Sequence, residues 1–156
     1  MRKLIQQGEK AKPFLLKDNR DKEVRLSDFK GKKVLLSFHP LAWTSVCAQQ
    51  MQALEENKEK FDLLNTVALG FSIDTVPSKN AWAKNLGIQN TRLLCDFWPH
   101  GRIAKTYGLF RSANGFSERA NIILDEKHRV LFVKVYPIAQ LPDLEEIFKV
   151  LSSSKG

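Results

Sequence analysis

Cysteine is scarce in this chain. It occurs twice in 156 residues, as Cys47 and Cys95. That excludes a disulfide scaffold and fits a reducing compartment, so a cytoplasmic protein is expected. No apolar stretch approaches the length that crosses a bilayer. The start, Met1-Arg2-Lys3-Leu4-Ile5-Gln6-Gln7-Gly8, is basic with no apolar run behind it. Neither a membrane association nor a signal peptide is therefore expected. There is no Cys-x-x-Cys pair, no Gly-rich phosphate loop and no dinucleotide fingerprint. His39, His100 and His128 share no metal-ligand spacing with cysteines or acids, so no metal and no cofactor is expected. Internal repeats, linkers and low-complexity segments are missing too, apart from the Ser152-Ser153-Ser154 run.

What is plentiful is positive charge. Lys and Arg number 25 against 17 Asp and Glu, a net charge of +8. The basic residues are spread along the chain, and aromatics are not interleaved with them at a base-stacking spacing. A solvated basic surface is the better reading than a nucleic-acid site. The length and a hydrophobic fraction of 43% suit one globular domain over residues 1–156, with 152–156 as a flexible tail.

Strand and helix signals alternate early and end in a hairpin. Phe14–Lys17 and Glu23–Leu26 flank the turn-forming Asp18-Asn19-Arg20-Asp21, which predicts an N-terminal β-hairpin. Lys33–Phe38 is nearly continuous in apolar residues, the mark of a strand buried on both faces. One helix is predicted over 45–64, with Cys47, Met51, Leu54 and Phe61 on its inward face and Glu55, Glu56, Lys60 and Asp62 in water. Thr66–Ile73 is a second core strand. Pro77 opens a helix that Gly87 stops. A strand at Arg92–Cys95, a helix at Gly101–Tyr107 and a hairpin of Ala120–Leu124 with Val130–Tyr136 follow. The last helix carries Leu141, Leu144, Ile147, Phe148 and Leu151 on one stripe. This is an α/β pattern, a mixed central sheet with helices on both faces.

The chemistry concentrates between Ser37 and Cys47. A strand runs into a proline loop, the loop leads into a helix, and Cys47 falls in the first turn of that helix. Unpaired N–H groups and the positive end of the helix dipole favour thiolate over thiol there, below the free cysteine value of about 8.5. Thr44, three residues earlier, can bring its hydroxyl within one turn of the sulfur.

The spacing Pro40-x-x-x-Thr44-x-x-Cys47 resembles the active-site motif of the peroxiredoxins. So do Leu93-Leu94-Cys95-Asp96-Phe97-Trp98-Pro99-His100-Gly101, then Ala104 and Tyr107-Gly108, and Arg119 opening Ala120–Asp125. The resemblance covers about Pro13 to Leu151, and within the family it is strongest to the one-cysteine, alkyl hydroperoxide reductase E-type branch. It implies a thioredoxin fold and thiol-dependent reduction of hydrogen peroxide and organic hydroperoxides. It implies Cys47 as peroxidatic nucleophile, Thr44 and Arg119 as donors to sulfur and peroxide, and Pro40 as a shield against water. A homodimer or larger assembly is also implied. The chain departs from many relatives at Ser45, where proline is common, and at Gln50, where glutamate is common.

The fate of the oxidised sulfur is the open point. Position 52, where another branch keeps a second thiol, is Gln52, and no cysteine lies near the C-terminus. Cys95 is read as buried and structural, with a resolving role as the alternative; a bridge would need the two Cα atoms within about 7 Å. The expected partner is therefore an external thiol, whether thioredoxin, glutaredoxin, mycoredoxin or a low-molecular-weight thiol. The rival readings are a thiol–disulfide oxidoreductase on the same fold and a non-catalytic binding protein using the basic surface.

Overall fold

The computed structural model describes residues 3–153. In chain order the elements are β1 (Leu15–Asp18), β2 (Glu23–Arg25), a 3-10 turn (Leu26–Phe29), β3 (Lys33–Phe38), α1 (Ser45–Glu56), α2 (Lys58–Leu63), β4 (Thr66–Ser72) and α3 (Val76–Leu86). Then come β5 (Arg92–Cys95), α4 (Arg102–Thr106), β6 (Phe110–Arg111), β7 (Phe116–Ser117), β8 (Arg119–Leu124), β9 (Val130–Tyr136) and α5 (Leu144–Ser153).

Seven strands form one mixed sheet in the order β2-β1-β5-β4-β3-β8-β9. β3, β4 and β5 run parallel, and β8 returns antiparallel to β3. Parallel strands are fed by crossovers, so both faces must be covered. One face buries Cys47, Met51, Leu54, Trp82 and Ile147 from α1, α3 and α5. The other buries Phe14, Phe29, Ala104 and Tyr107, among others. The expected hairpin is present as β1 paired with β2. β6 and β7, a small separate hairpin, were not foreseen; at two residues each they are too short to show a period.

The helix expected over 45–64 is two. At Asn57 the backbone leaves helical geometry (φ −103°, ψ 16°), and its side-chain Nδ2 donates to the Ala53 carbonyl at 2.8 Å. The side chain thus shares the Ala53 carbonyl with the Asn57 N–H, which still reaches it at 3.2 Å across the break. The inward stripe survives the break, for Cys47, Met51, Leu54 and Phe61 are all buried. Glu55 does not simply face water. Its carboxylate accepts the N–H groups of Gln89, Asn90 and Thr91 and so caps the turn between α3 and β5. The last helix begins only at Leu144, leaving Leu141 exposed ahead of it. It continues through Ser153, while residues 154–156, part of the expected tail, lie outside the described residues. Among the described residues no helix is long and apolar enough to cross a membrane.

Candidate active site

Three loops gather at the carboxyl ends of β3, β4 and β5, where a parallel sheet opens. The first, after β3, carries Pro40 and Thr44 and delivers Cys47 to the third position of α1. Thr44 is the residue before the helix, and no side chain caps the first-turn N–H groups. The loop is clasped from the next strand's end, where Asp74 Oδ2 accepts the Ala42 N–H at 2.8 Å and the Ser72 hydroxyl at 2.6 Å. Trp43, with φ +69° and 54% exposed, is tied to α3 by its indole N–H, 3.0 Å from Ser78 Oγ.

Arg119 reaches the sulfur from the opposite side. Because Ala120 pairs with Phe38, the antiparallel β8 sets Arg119 just beyond the end of β3. Its Nη1 lies 3.3 Å from Cys47 Sγ. The guanidinium is fixed twice more, by Nη1 to Gln50 Oε1 and Nε to the Ile138 carbonyl, both at 2.8 Å. It is buried, not the exposed strand-end arginine that its position allows. Gln50 lies one turn along α1 and is itself held by Ser37 Oγ and the Phe38 carbonyl. A buried guanidinium cannot shed its proton, so it is a permanent cation against the sulfur.

One expected feature differs. The Thr44 hydroxyl donates to the Leu41 carbonyl at 2.9 Å and is exposed, so the loop turn, not the sulfur, claims it. Cys47 is also fully covered, at 0% exposure, with Pro40 buried beside it in the chain. A cleft of 570 Å³ lies at the far edge of the sheet, lined by Leu54, Thr66 and Arg92, and does not open on Cys47.

His39, just past the end of β3, is wholly buried. Its Nε2 lies 2.6 Å from Lys79 Nζ, and its Nδ1 finds no hydrogen-bond partner. Burial, then the Lys79 charge, hold the imidazole well below its ordinary range, so it is neutral. Lys79 is pulled down to about 8 by burial, against the opposing pull of Asp74, Cys95 and Cys47. Cys95 is a buried free thiol, pushed up to about 12 by burial. It is protonated at neutral pH and makes a poor nucleophile. Neither the His39–Lys79 contact nor the Asp74 clasp was foreseen. The one available signal was a histidine closing a strand that is otherwise apolar. Among the described residues no group of three or more His, Cys, Asp or Glu could hold a metal ion.

The match to known proteins follows the same segments. The model of the AhpC/TSA family matches residues 7–133. The chain belongs to the AhpC/TSA family, the peroxiredoxins. It is 30% identical over 141 residues to alkyl hydroperoxide reductase E of Mycobacterium tuberculosis, covering 90% of this chain and 92% of that protein. It is 33% identical over 132 residues to a thiol peroxidase of Streptococcus agalactiae, covering 85% and 79%. Among solved structures, reduced 2-Cys peroxiredoxin of Plasmodium vivax superposes with a TM-score of 0.84 at 30% identity, over 94% of this chain and 80% of that one. The expected thioredoxin fold in its peroxiredoxin form is therefore the fold of the chain. Membership carries a thiol-dependent, peroxide-reducing activity, with a peroxide as substrate and a thiol as reductant.

Proposed function

We propose that Cys47 is the peroxidatic nucleophile and that the chain reduces hydrogen peroxide and organic hydroperoxides by a one-cysteine cycle. The observation that carries this reading is the Arg119 Nη1 to Cys47 Sγ contact of 3.3 Å at the uncapped start of α1. The Cys47 thiolate attacks one peroxide oxygen. The O–O bond breaks, the sulfur becomes a sulfenic acid, and the second oxygen leaves with a proton as water or an alcohol. Charge moves from sulfur to oxygen in that step, so a fixed guanidinium beside both is stabilising.

An external thiol then attacks the sulfenic sulfur, releasing water and forming a mixed disulfide. A second thiol displaces Cys47 as thiolate and carries off the partner as a disulfide. The high position of the Cys95 thiol supports an external donor over an internal one. Thioredoxin, glutaredoxin, mycoredoxin and low-molecular-weight thiols are the donor classes. Since Cys47 is covered, oxidant reaches it when the Pro40–Thr44 loop moves, and the same motion frees the Thr44 hydroxyl from Leu41. Pro40 limits water at the sulfur when the loop is closed. A homodimer in a reducing, cytoplasmic setting completes the reading; two free thiols support the setting.

The test is peroxide consumption with a thiol donor, set against reduction of insulin disulfides, in wild type and Cys47→Ser. Wild type should consume peroxide and leave insulin intact, and Cys47→Ser should neither consume peroxide nor reduce insulin. Mass spectrometry after one equivalent of peroxide should find one added oxygen on Cys47. An intramolecular Cys47–Cys95 disulfide in good yield would overturn the one-cysteine cycle, and a fully active Cys47→Ser would overturn the whole reading.

A further inference from the structure

A line of hydrogen bonds runs from the guanidinium to the protein surface, and every bond in it points the same way. Arg119 Nη1 donates to Gln50 Oε1 at 2.8 Å. Gln50 Nε2 donates to Ser37 Oγ at 2.7 Å. The Ser37 hydroxyl donates to Asn121 Oδ1 at 2.8 Å. Asn121 Nδ2 donates to the Tyr136 hydroxyl at 3.5 Å, the longest link. The Tyr136 hydroxyl donates to Glu146 Oε1. Glu146, on α5, is half-exposed and paired at 3.0 Å with Lys134.

The fold builds this line. Ser37 and Asn121 face each other directly across β3 and β8, and Arg119 and Tyr136 do so across β8 and β9. Arg119, Gln50, Ser37, Asn121 and Tyr136 are all buried. A polar side chain in a core strand costs stability unless its partners are supplied, and here each supplies the next.

The direction has a cause. An amide can present either its oxygen or its N–H groups, and a hydroxyl can donate or accept. Gln50 serves Arg119 only with its oxygen inward, since N–H groups there would meet a cation. An all-one-way line needs a group at its far end that accepts and does not donate. A carboxylate is such a group. Among the described residues Arg119 has no salt-bridge partner, so its nearest hydrogen-bonded anion along this line is Glu146.

We propose that Glu146, through Tyr136, Asn121 and Ser37, sets the sense of this line and so holds Gln50 and Arg119 in the orientation that meets Cys47 Sγ. These are positioning residues, and the inference rests on Cys47 being the reacting sulfur. Two distant surface charges, Glu146 and its partner Lys134, thus bear on the sulfur without touching it. Burial and the bond to Glu146 both hold the Tyr136 hydroxyl protonated, which keeps it able to donate.

The experiment compares Tyr136→Phe and Glu146→Gln with wild type. The readouts are the rate of hydrogen peroxide reduction and the rate of Cys47 alkylation by iodoacetamide at neutral pH. Arg119 from β8, Lys79 from α3 and His39 beyond β3 also face this region and are unchanged in both variants. Each variant should cut kcat/KM roughly tenfold, the effect of about one lost hydrogen bond. Each should also slow the alkylation. Glu146→Gln alters only the surface end, so it serves even if Tyr136→Phe does not fold.

A second background separates positioning from packing. Gln50→Glu places an anion directly on Arg119, so the line no longer needs its far end. Tyr136→Phe added to Gln50→Glu should change kcat/KM by less than about twofold. Unchanged rates of both reactions in both single variants would overturn the proposal, as would an equal loss from Tyr136→Phe in both backgrounds. Peroxide reduction surviving in Cys47→Ser would instead overturn the reading beneath it, so the two failures are distinct.

Discussion

Lys79 Nζ sits 2.6 Å from His39 Nε2, with both side chains sealed from solvent and the imidazole neutral. A lysine ammonium there is stabilised by the imidazole lone pair and by the Trp82 ring, whose centroid is 5.0 Å away. It makes no salt bridge among the described residues, though Asp74 pulls on it from a distance.

The first prediction concerns this contact. Burial lowers Lys79 from 10.5 to about 8, so the folded state binds its proton less tightly than the unfolded chain. Folding is therefore penalised at neutral pH, and the penalty is relieved as pH rises from 8 towards 10.5. Lys79→Met should be more stable than wild type at pH 7, and its advantage should shrink across that window. Thermal melts of both proteins from pH 7 to 10 check this. A difference that does not change with pH would contradict it.

Arg119→Ala removes the guanidinium in contact with the sulfur. Alkylation of Cys47 by iodoacetamide at neutral pH should slow, and kcat/KM for hydrogen peroxide should fall by roughly a hundredfold. Arg119→Lys should recover only part of this, because an ammonium cannot serve the sulfur, Gln50 and Ile138 in one plane. Stopped-flow kinetics on both variants decides.

Glu55 gives a stability test at acid pH. Partial burial works against its charge, but the N–H groups of Gln89, Thr91 and Asn90 and the Thr91 hydroxyl outweigh it and hold the carboxyl below its usual value. A carboxylate with a depressed folded value stabilises above the unfolded value and loses that contribution as pH falls through the folded one. Glu55→Ala should melt lower than wild type at neutral pH, with the gap closing at acid pH. A gap independent of pH would assign Glu55 to packing alone.

Gly70 on β4 leaves no room for a side chain. A Cβ there would lie 2.4 Å from Met51 Sδ and 3.0 Å from Leu93 Cδ2. Met51 is one turn from Cys47 on α1 and must give way. Gly70→Ala should cost about 1–3 kcal/mol in urea unfolding, the usual cost of overpacking. It should also slow peroxide reduction by disturbing α1. Wild-type stability would show that Met51 and Leu93 have space the structure does not assign them.

The legible part of the site was local. Pro40, Thr44 and Cys47 lie within eight residues, and a strand before and a helix after make their relation readable from spacing. β3 and β9 were readable to the residue because their apolar patterns are long and bounded by turns. Arg119 needed the family pattern, since an arginine opening a strand is ordinarily exposed. Asn57 looked like any mid-helix polar residue, because whether its side chain captures the backbone depends on local geometry. Ser37 and Asn121 interrupt apolar strands, which marks them as odd. Their partnership spans 84 residues and exists only once β3 and β8 pair. His39 and Lys79 meet across 40 residues. The Thr44 hydroxyl was misplaced for a different reason. Helical spacing puts it near the sulfur, but the loop turn offers the Leu41 carbonyl first.

The most direct measurement is a single turnover of reduced protein with hydrogen peroxide, with dimedone present to trap sulfenic acid and the rate followed against pH. Wild type should form the adduct on Cys47 alone, and Arg119→Ala should form it more slowly at every pH. An adduct on Cys95, or superimposable curves for the two proteins, would contradict it.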